Sequence, residues 1–139
     1  MTMTSDVLDF LEARGLDPEV GDRLGFDGRR GRDGTDELVI SFRREGKVVR
    51  RKYRPLEQRE GQPRFYQDKG GIRCLWNEDC LRDPALFGQP LIITEGEMDA
   101  WAAIQCGYPK TVSVPDGAPP PAKEGREDDE DRGSVKYAW

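Results

Sequence analysis

Histidine is absent from the 139-residue sequence, and its absence excludes several kinds of catalysis. Hydrolases with a Ser-His-Asp triad, Cys-His proteases and HExxH zinc enzymes all need an imidazole, so none of these sites can be complete here. Carboxylates, basic side chains, hydroxyls and the backbone remain available. Any chemistry that this protein performs must use those groups.

Cysteine is also scarce. The three cysteines, Cys74, Cys80 and Cys106, contain no CxxC spacing and cannot form a closed set of disulfides. Cys74 and Cys80 could supply half of a zinc site, but no second pair of ligands accompanies them. Free thiols in a reducing cytosol are therefore the favoured interpretation, and we expect no zinc.

Long hydrophobic runs are missing as well. No segment approaches the roughly 18 apolar residues of a membrane helix, and the N-terminus lacks the basic and apolar regions of a signal peptide. The sequence therefore predicts a cytoplasmic protein without a membrane partner. Its length suits one domain or slightly more, and its 16 glycines and 10 prolines predict long turns.

Residues 1–88 have the pattern of an α+β subdomain. Two short amphipathic helices are expected before residue 25, and the glycine-rich, polar residues 27–35 are typical of a loop. The apolar period then changes to two, which predicts a hairpin of strands at 38–42 and 47–54, followed by a short third strand.

The pattern changes again after residue 88. Residues 91–94 form a continuous apolar run, which is typical of a strand buried on both faces. A helix over 97–105 and a strand over 111–114 follow, so the order is strand, helix, strand. Such a βαβ unit has parallel strands. We therefore expect residues 89–118 to begin an incomplete α/β domain.

The C-terminal part is polar. Residues 119–134 are rich in proline and acids, with six acidic side chains between Glu124 and Asp131, and they predict a linker. The acids lack the glycine and glutamate spacing of a calcium loop. Residues 135–139 are more apolar and predict the start of a truncated element.

The net charge of -5 hides a basic hairpin. Seven basic residues and one acid lie between Arg43 and Arg54. Alternation along a strand places Arg50, Lys52 and Arg54 on one face and Arg51 on the other. Cations on one face repel each other unless a polyanion compensates them, and phosphate contacts dominate nucleic-acid affinity. This favours nucleic-acid binding over a merely solvated face.

Glu95 is the second candidate functional residue. It falls at the carboxyl end of a predicted strand, where ligands bind in α/β sheets, and Gly96 allows an abrupt turn into the helix. Glu97 and Asp99 are explained as acids in the first turn of a helix. No such structural reason accounts for Glu95.

These residues carry a resemblance to a known family. Residues 91–100 and 112–118 resemble the beginning of a TOPRIM domain, the fold shared by DnaG-type primases, type IA and type II topoisomerases and some nucleases. Three upstream segments resemble the phage replicative primase–helicases and the related mitochondrial replicative helicase: 14–16, 51–54 and 85–88. The resemblance extends over residues 5–118 and indicates the N-terminal part of a primase core.

The resemblance implies template-directed synthesis of RNA primers from ribonucleoside triphosphates on single-stranded DNA, with Mg2+ as cofactor. Glu95 would act as the acid/base residue or help to hold the catalytic Mg2+. The nucleotide- or nucleic-acid-binding residues would be Arg50, Arg51, Lys52, Arg54 and Gly117. Phosphoryl transfer of this kind needs several carboxylates around the metal ion.

Two features of the family are missing. An Asp-x-Asp strand supplies the main metal ligands in the family, and the one such spacing near the end, Asp129 to Asp131, lies in the acidic linker. No GxxxxGK[ST] phosphate loop of a helicase occurs either. We therefore expect this chain to be inactive alone, as part of a primase that acts with a replicative helicase, either as a fused domain or as a separate protein. The alternatives are a TOPRIM nuclease or topoisomerase-like protein and a non-catalytic module that binds single-stranded nucleic acid.

Overall fold

The computed structural model of the protein describes residues 3–116, so Gly117, the predicted linker 119–134 and residues 135–139 lie outside the described residues. The helices and strands of the described range are, in order, α1 (Ser5–Glu12), α2 (Pro18–Leu24), β1 (Phe26–Arg30), β2 (Asp36–Arg44), β3 (Lys47–Pro55), β4 (Tyr66–Gln67), β5 (Ile92–Thr94), α3 (Glu97–Gln105) and β6 (Thr111–Ser113). Two 3-10 turns, Glu78–Arg82 and Pro84–Leu86, precede β5. No helix in this range is long and apolar enough to cross a membrane.

The two N-terminal helices are short and capped. Thr4 is the N-cap of α1, and its hydroxyl accepts a hydrogen bond from the backbone N–H of Val7. Asp17 caps α2 by accepting from the N–H of Glu19 at 2.9 Å. Gly25 ends α2 with a φ of 90°, a left-handed conformation that glycine adopts without strain. The predicted pair of helices is confirmed.

An antiparallel sheet in the order β1-β2-β3-β4 follows the helices. Strands β2 and β3 form the predicted basic hairpin, and they are joined by Glu45 and Gly46, which both have positive φ. Two such residues match the twist of the flanking strands. The short strand β4 pairs with β3 at Lys52 and Tyr53. β3 is therefore an inner strand of this sheet at those positions.

The prediction of a loop over residues 27–35 is wrong in its first part. Residues 26–30 form β1, which pairs antiparallel with β2 and places Gly28 opposite Leu38. Pairing with β2 overrides the low strand propensity of this glycine-rich segment. A Cβ atom on Gly28 would lie 3.1 Å from Val7 Cγ2, so glycine at this position lets α1 pack closely against the sheet.

The predicted βαβ unit is confirmed, because β5 and β6 pair in parallel and α3 connects them. The prediction that its first strand is buried on both faces is wrong. Ile93 is 63% exposed and Leu91 is 45% exposed. The sheet has only two strands within residues 3–116, and no other described element covers Ile93.

One hydrophobic core joins the antiparallel sheet to the βαβ unit. Trp101 of α3 packs at a tilt against Phe26 of β1 with ring centroids 4.5 Å apart, and the ring centroid of Trp76 lies 5.4 Å from that of Phe26. Trp101 also lies directly over Gly21 of α2, where a Cβ atom would be 2.4 Å from the indole. The described chain is therefore α+β with a shared core, and the predicted domain boundary at residue 88 stays a prediction.

Candidate functional site

Glu95 lies in the turn between β5 and α3, as the sequence predicts. Gly96 is the extended N-cap of α3, and Thr94 Oγ1 donates to its carbonyl at 2.9 Å. A Cβ atom on Gly96 would lie 3.0 Å from Asp99 Oδ2, so the close approach of this carboxylate favours glycine. The Glu95 side chain is exposed at the end of the parallel strands.

A cavity of about 520 Å3 opens beside Glu95. Its acidic side chains come from the β5–α3 turn and the first turn of α3, whereas its basic side chains come from three separate segments. The charged residues that line it are Glu95, Glu97, Asp99, Arg14, Arg54 and Arg64. Acids that suit a cation and guanidinium groups that suit an anion thus line the same cavity.

Arg54 is a buried cation that forms no ion pair within residues 3–116. It is 6% exposed, and its Nε has no hydrogen-bond partner in the described part of the chain. Its Nη1 approaches Met98 Sδ at 3.7 Å, and its Cζ lies 5.0 Å from the ring centroid of Phe10. Burial, together with the nearby Arg64 and Arg14, lowers the pKa of Arg54 to about 10. The guanidinium is therefore charged at neutral pH in an environment that disfavours its charge.

Lys52 is buried two residues earlier on the same strand, but it is paired. Its Nζ donates to Glu97 Oε1 and to the carbonyl of Pro115, each at 2.9 Å. Nζ also lies 4.4 Å from the ring centroid of Phe65. Burial raises the pKa of Glu97, and the charge of Lys52 partly offsets that effect. The pair joins the antiparallel sheet to the first turn of α3.

The other two predicted cations of the hairpin differ in exposure. Arg50 is 5% exposed, donates to the side chain of Gln67, and forms an ion pair with Asp116 at 3.5 Å. Asp116 also pairs with Arg73 at 3.6 Å. Arg51 is exposed on β3. The hairpin therefore shows Arg51 to solvent and buries the other three residues of the predicted set.

Arg14 and Arg64 were not among the predicted site residues, although Arg14 lies in a segment that carries the family resemblance, and Asp99 was expected only to be a helix-terminal acid. Arg14 follows α1 and has its Cζ 3.6 Å from the ring centroid of Phe10, while Arg64 precedes β4. No local pattern marks these residues, because only the fold brings them to one cavity. The one signal in the sequence was the resemblance of segment 14–16 to the phage primase–helicases, which includes Arg14.

The described residues contain no ready-made cluster of metal ligands. Across residues 3–116, no three His, Cys, Asp or Glu side chains cluster closely enough to hold a metal ion. Glu95 and Asp99 nevertheless supply oxygen ligands of the kind that Mg2+ takes, and Mg2+ is often bound by one or two carboxylates, with waters and substrate phosphates as further ligands. Cys74 and Cys80 are buried, and burial raises the pKa of both thiols.

Comparison with known proteins gives sequence relatives. The Primase homolog protein of Arabidopsis thaliana is 29% identical over 140 residues, which cover 99% of this chain and 38% of that protein. The chloroplastic/mitochondrial Twinkle homolog protein of the same plant is 34% identical over 107 residues, or 75% of this chain and 14% of that protein. The chain thus spans well under half the length of these relatives. No family model matches it.

Solved structures share the fold. The primase fragment of the bacteriophage T7 primase-helicase has a TM-score of 0.59 at 24% identity, covering 77% of this chain and 42% of that one. The Aquifex aeolicus primase, with zinc-binding and RNA polymerase domains, has a TM-score of 0.64 at 13% identity, and the match covers 79% of this chain and 36% of that one. A DnaG primase catalytic domain bound to ssDNA has a TM-score of 0.56 at 20% identity, and the match covers 79% of this chain and 48% of that one.

These sequence and structural similarities define the class of protein: the fold is that of a primase catalytic core. The chain is a relative of the DnaG-type primases. The match to the Twinkle homolog and to the T7 primase fragment agrees with the resemblance to primase–helicases that the sequence carries.

Proposed function

We propose that this chain forms part of a DNA primase that synthesises RNA primers on single-stranded DNA, and that its cavity binds the triphosphate of a ribonucleotide. The guanidinium of Arg54, which is buried and has no ion-pair partner among residues 3–116, is the observation that carries this proposal. A buried charge is costly unless it is compensated, and within residues 3–116 Arg54 forms no ion pair with a carboxylate. A phosphate group is an anion that a guanidinium binds well.

The surrounding charges suit a nucleotide with a metal ion. Arg14 and Arg64 line the same cavity as Arg54, so several cations are available to the phosphates. Glu95 and Asp99 would hold Mg2+, which when bound activates a hydroxyl and neutralises the charge of a leaving pyrophosphate. Glu95 is exposed at the cavity and would also be placed to accept the proton of the attacking 3'-hydroxyl. In this proposal the βαβ unit is the beginning of a TOPRIM domain.

The relatives support the partners in this proposal. One similar structure is described as a DnaG catalytic domain bound to ssDNA, and another belongs to a primase-helicase. By analogy we propose that the template is single-stranded DNA and that a replicative helicase acts with this protein. Arg51, exposed on β3, is the hairpin cation that we assign to the template backbone.

The test is the binding of ATP with Mg2+ to the full chain, measured by calorimetry. Arg54→Met should weaken binding about tenfold or more, because it removes the buried cation. Arg51→Met is the matched control, since Arg51 lies on the same strand but is exposed. It should change the affinity for ATP less than about twofold. Equal effects of the two substitutions would contradict the assignment of Arg54.

Activity assays separate the alternatives. With template, ribonucleotides and Mg2+, we expect the chain alone to bind without making primers, and robust synthesis that Glu95→Gln abolishes would contradict this. Nicking of supercoiled DNA that depends on Glu95 would favour a nuclease or topoisomerase-like protein. Binding of single-stranded DNA without any effect of Mg2+ or Glu95→Gln, and without ATP binding, would favour a non-catalytic module.

A further inference from the structure

The Lys52–Glu97 ion pair connects the two parts of the described fold. Lys52 lies on the inner strand β3, where it faces Ile40 of β2 and Gln67 of β4 across the sheet. Its backbone is therefore held on both sides. Its ammonium group reaches out of this sheet to the βαβ unit, where it meets the first residue of α3 and the chain that follows β6.

The hydrogen-bonding capacity of Lys52 is largely used. A lysine ammonium has three N–H donors, and two of them go to Glu97 Oε1 and to the Pro115 carbonyl. The ring centroid of Phe65 lies 4.4 Å from the same ammonium nitrogen. The Lys52 side chain is 11% exposed and that of Glu97 is 3% exposed. A phosphate would have to displace a buried carboxylate in order to bind Lys52 directly.

The anchoring points of Lys52 lie next to the functional residues. Glu97 is two residues after Glu95, and it begins the helix that the β5–α3 turn enters. On the other side, Lys52 and Arg54 are alternate residues of β3, so their side chains come from the same rigid strand. The ion pair is therefore a polar contact, beside the shared hydrophobic core, that joins the segment carrying Glu95 to the strand carrying Arg54.

We propose that Lys52 and Glu97 form a clamp that positions Glu95 relative to Arg54, so that Lys52 is a positioning residue rather than a phosphate ligand. The proposal rests on the proposed function, because Glu95 and Arg54 are the groups that the clamp serves. It differs from the role that the family resemblance implies for Lys52, which is direct contact with nucleotide phosphates or template.

Substitutions of the two partners distinguish a clamp from a ligand. In calorimetry with ATP and Mg2+, a clamp predicts that Lys52→Met and Glu97→Gln weaken binding by similar factors, about tenfold each, and that the double variant is no weaker than either single one. A direct phosphate ligand predicts that only Lys52→Met weakens binding, while Glu97→Gln leaves it unchanged or tightens it. That second result would overturn the proposal.

Matched controls exist for both positions. Lys47 is an exposed lysine at the start of β3, and Glu19 is an exposed acid in the first turn of α2, as Glu97 is in the first turn of α3. Lys47→Met and Glu19→Gln should leave ATP affinity within about twofold of the parent chain. If Lys52→Met does not fold, Glu97→Gln decides, because it removes the charge of the carboxylate and so the ion pair, while it keeps nearly the same side-chain shape.

A second measurement does not depend on nucleotide binding. In 1H–15N spectra of the full chain, Glu97→Gln and Lys52→Met should both shift the amide resonances of Glu95, Gly96 and Asp116. Shifts from Lys52→Met that are confined to β2, β3 and β4 would overturn the clamp. A parent chain that binds neither ATP nor single-stranded DNA would contradict the proposed function, and the amide shifts alone would then support or overturn the clamp.

Discussion

Lys52 and Arg54 occupy equivalent positions two residues apart on β3, yet their environments differ in the property that matters most for a buried charge. Both residues are less than one-tenth exposed. Lys52 meets a carboxylate at 2.9 Å, whereas Arg54 meets a thioether at 3.7 Å. Burial of a paired charge serves the fold, while burial of an unpaired charge costs stability unless a ligand compensates it.

The difference comes from two consecutive residues of α3. Glu97 reaches Lys52, and Met98 reaches Arg54. One residue therefore places a carboxylate beside Lys52, and the next places an apolar side chain beside Arg54. The same helix turn can thus hold one cation in place and leave the next one available to an anion in the cavity.

The largest expected effect is on stability at the paired position. Lys52→Met leaves Glu97 buried without its cation, so the free energy of unfolding should fall by about 3–5 kcal/mol. Urea unfolding of the parent chain and the variant measures this difference. Lys47→Met, at an exposed site on the same strand, should change stability by no more than about 0.5 kcal/mol. A loss at Lys52 no larger than this control would show that the ion pair is not structural.

Arg54→Met should affect stability in the opposite direction. The lowering of the pKa of Arg54 to about 10 means that folding disfavours its charged form by roughly 3 kcal/mol at neutral pH. The contacts of the guanidinium with the rings of Phe10 and Phe65 offset part of this cost. We expect the variant to be more stable by about 1 kcal/mol, with a higher Tm and weaker ATP binding. A loss of stability like that of Lys52→Met would erase the distinction between the two cations.

Met98→Glu converts the environment of Arg54 into that of Lys52. A carboxylate at this position replaces the sulfur that lies 3.7 Å from the guanidinium, so Arg54 gains an anion from its own chain. Stability should rise by about 1 kcal/mol, and the affinity for ATP should fall about tenfold, because the new carboxylate competes with phosphate. Met98→Gln is the uncharged control and should leave most of the ATP affinity intact. Unchanged affinity in Met98→Glu would contradict the role of Arg54.

The smallest effect is expected at the exposed cation of the same strand. Arg51→Met should change the free energy of unfolding by less than about 0.5 kcal/mol. It should reduce the slope of log affinity for single-stranded DNA against log salt by about 0.7, which corresponds to one lost phosphate contact. Fluorescence anisotropy over a salt series measures the slope. An unchanged slope would remove Arg51 from the template surface.

Local patterns predicted the parts of the fold that depend on local physics. The alternation of β2 and β3 and the amphipathic pattern of the two N-terminal helices both depend on residues within a few positions of one another. Strand β1 was missed because its stability comes from pairing with β2 rather than from its own glycine-rich composition. The burial of β5 was overestimated because the apolar run does not reveal how many neighbours a strand has.

The candidate site also contains one residue that the local sequence revealed and others that it did not. Glu95 was identified because an acid between an apolar strand and a glycine is unusual in itself, and the structure places it at the cavity. Arg14 and Arg64 were missed because they belong to segments that only the fold brings together. The position of Gly117 lies outside the described residues, so its predicted role stays a prediction.

The sequence by itself determined the hairpin, the βαβ order, the run of positive charge on β3 and the position of Glu95 after β5, because each depends on residues that are close in the chain. Only the tertiary structure decided which cation is paired. Glu97 lies 45 residues from Lys52 in sequence, and the packing of α3 against the sheet brings them to 2.9 Å. Among the described residues, the same packing gives Arg54 a thioether contact and no ion pair. The energy of a buried charge depends on its neighbours in space.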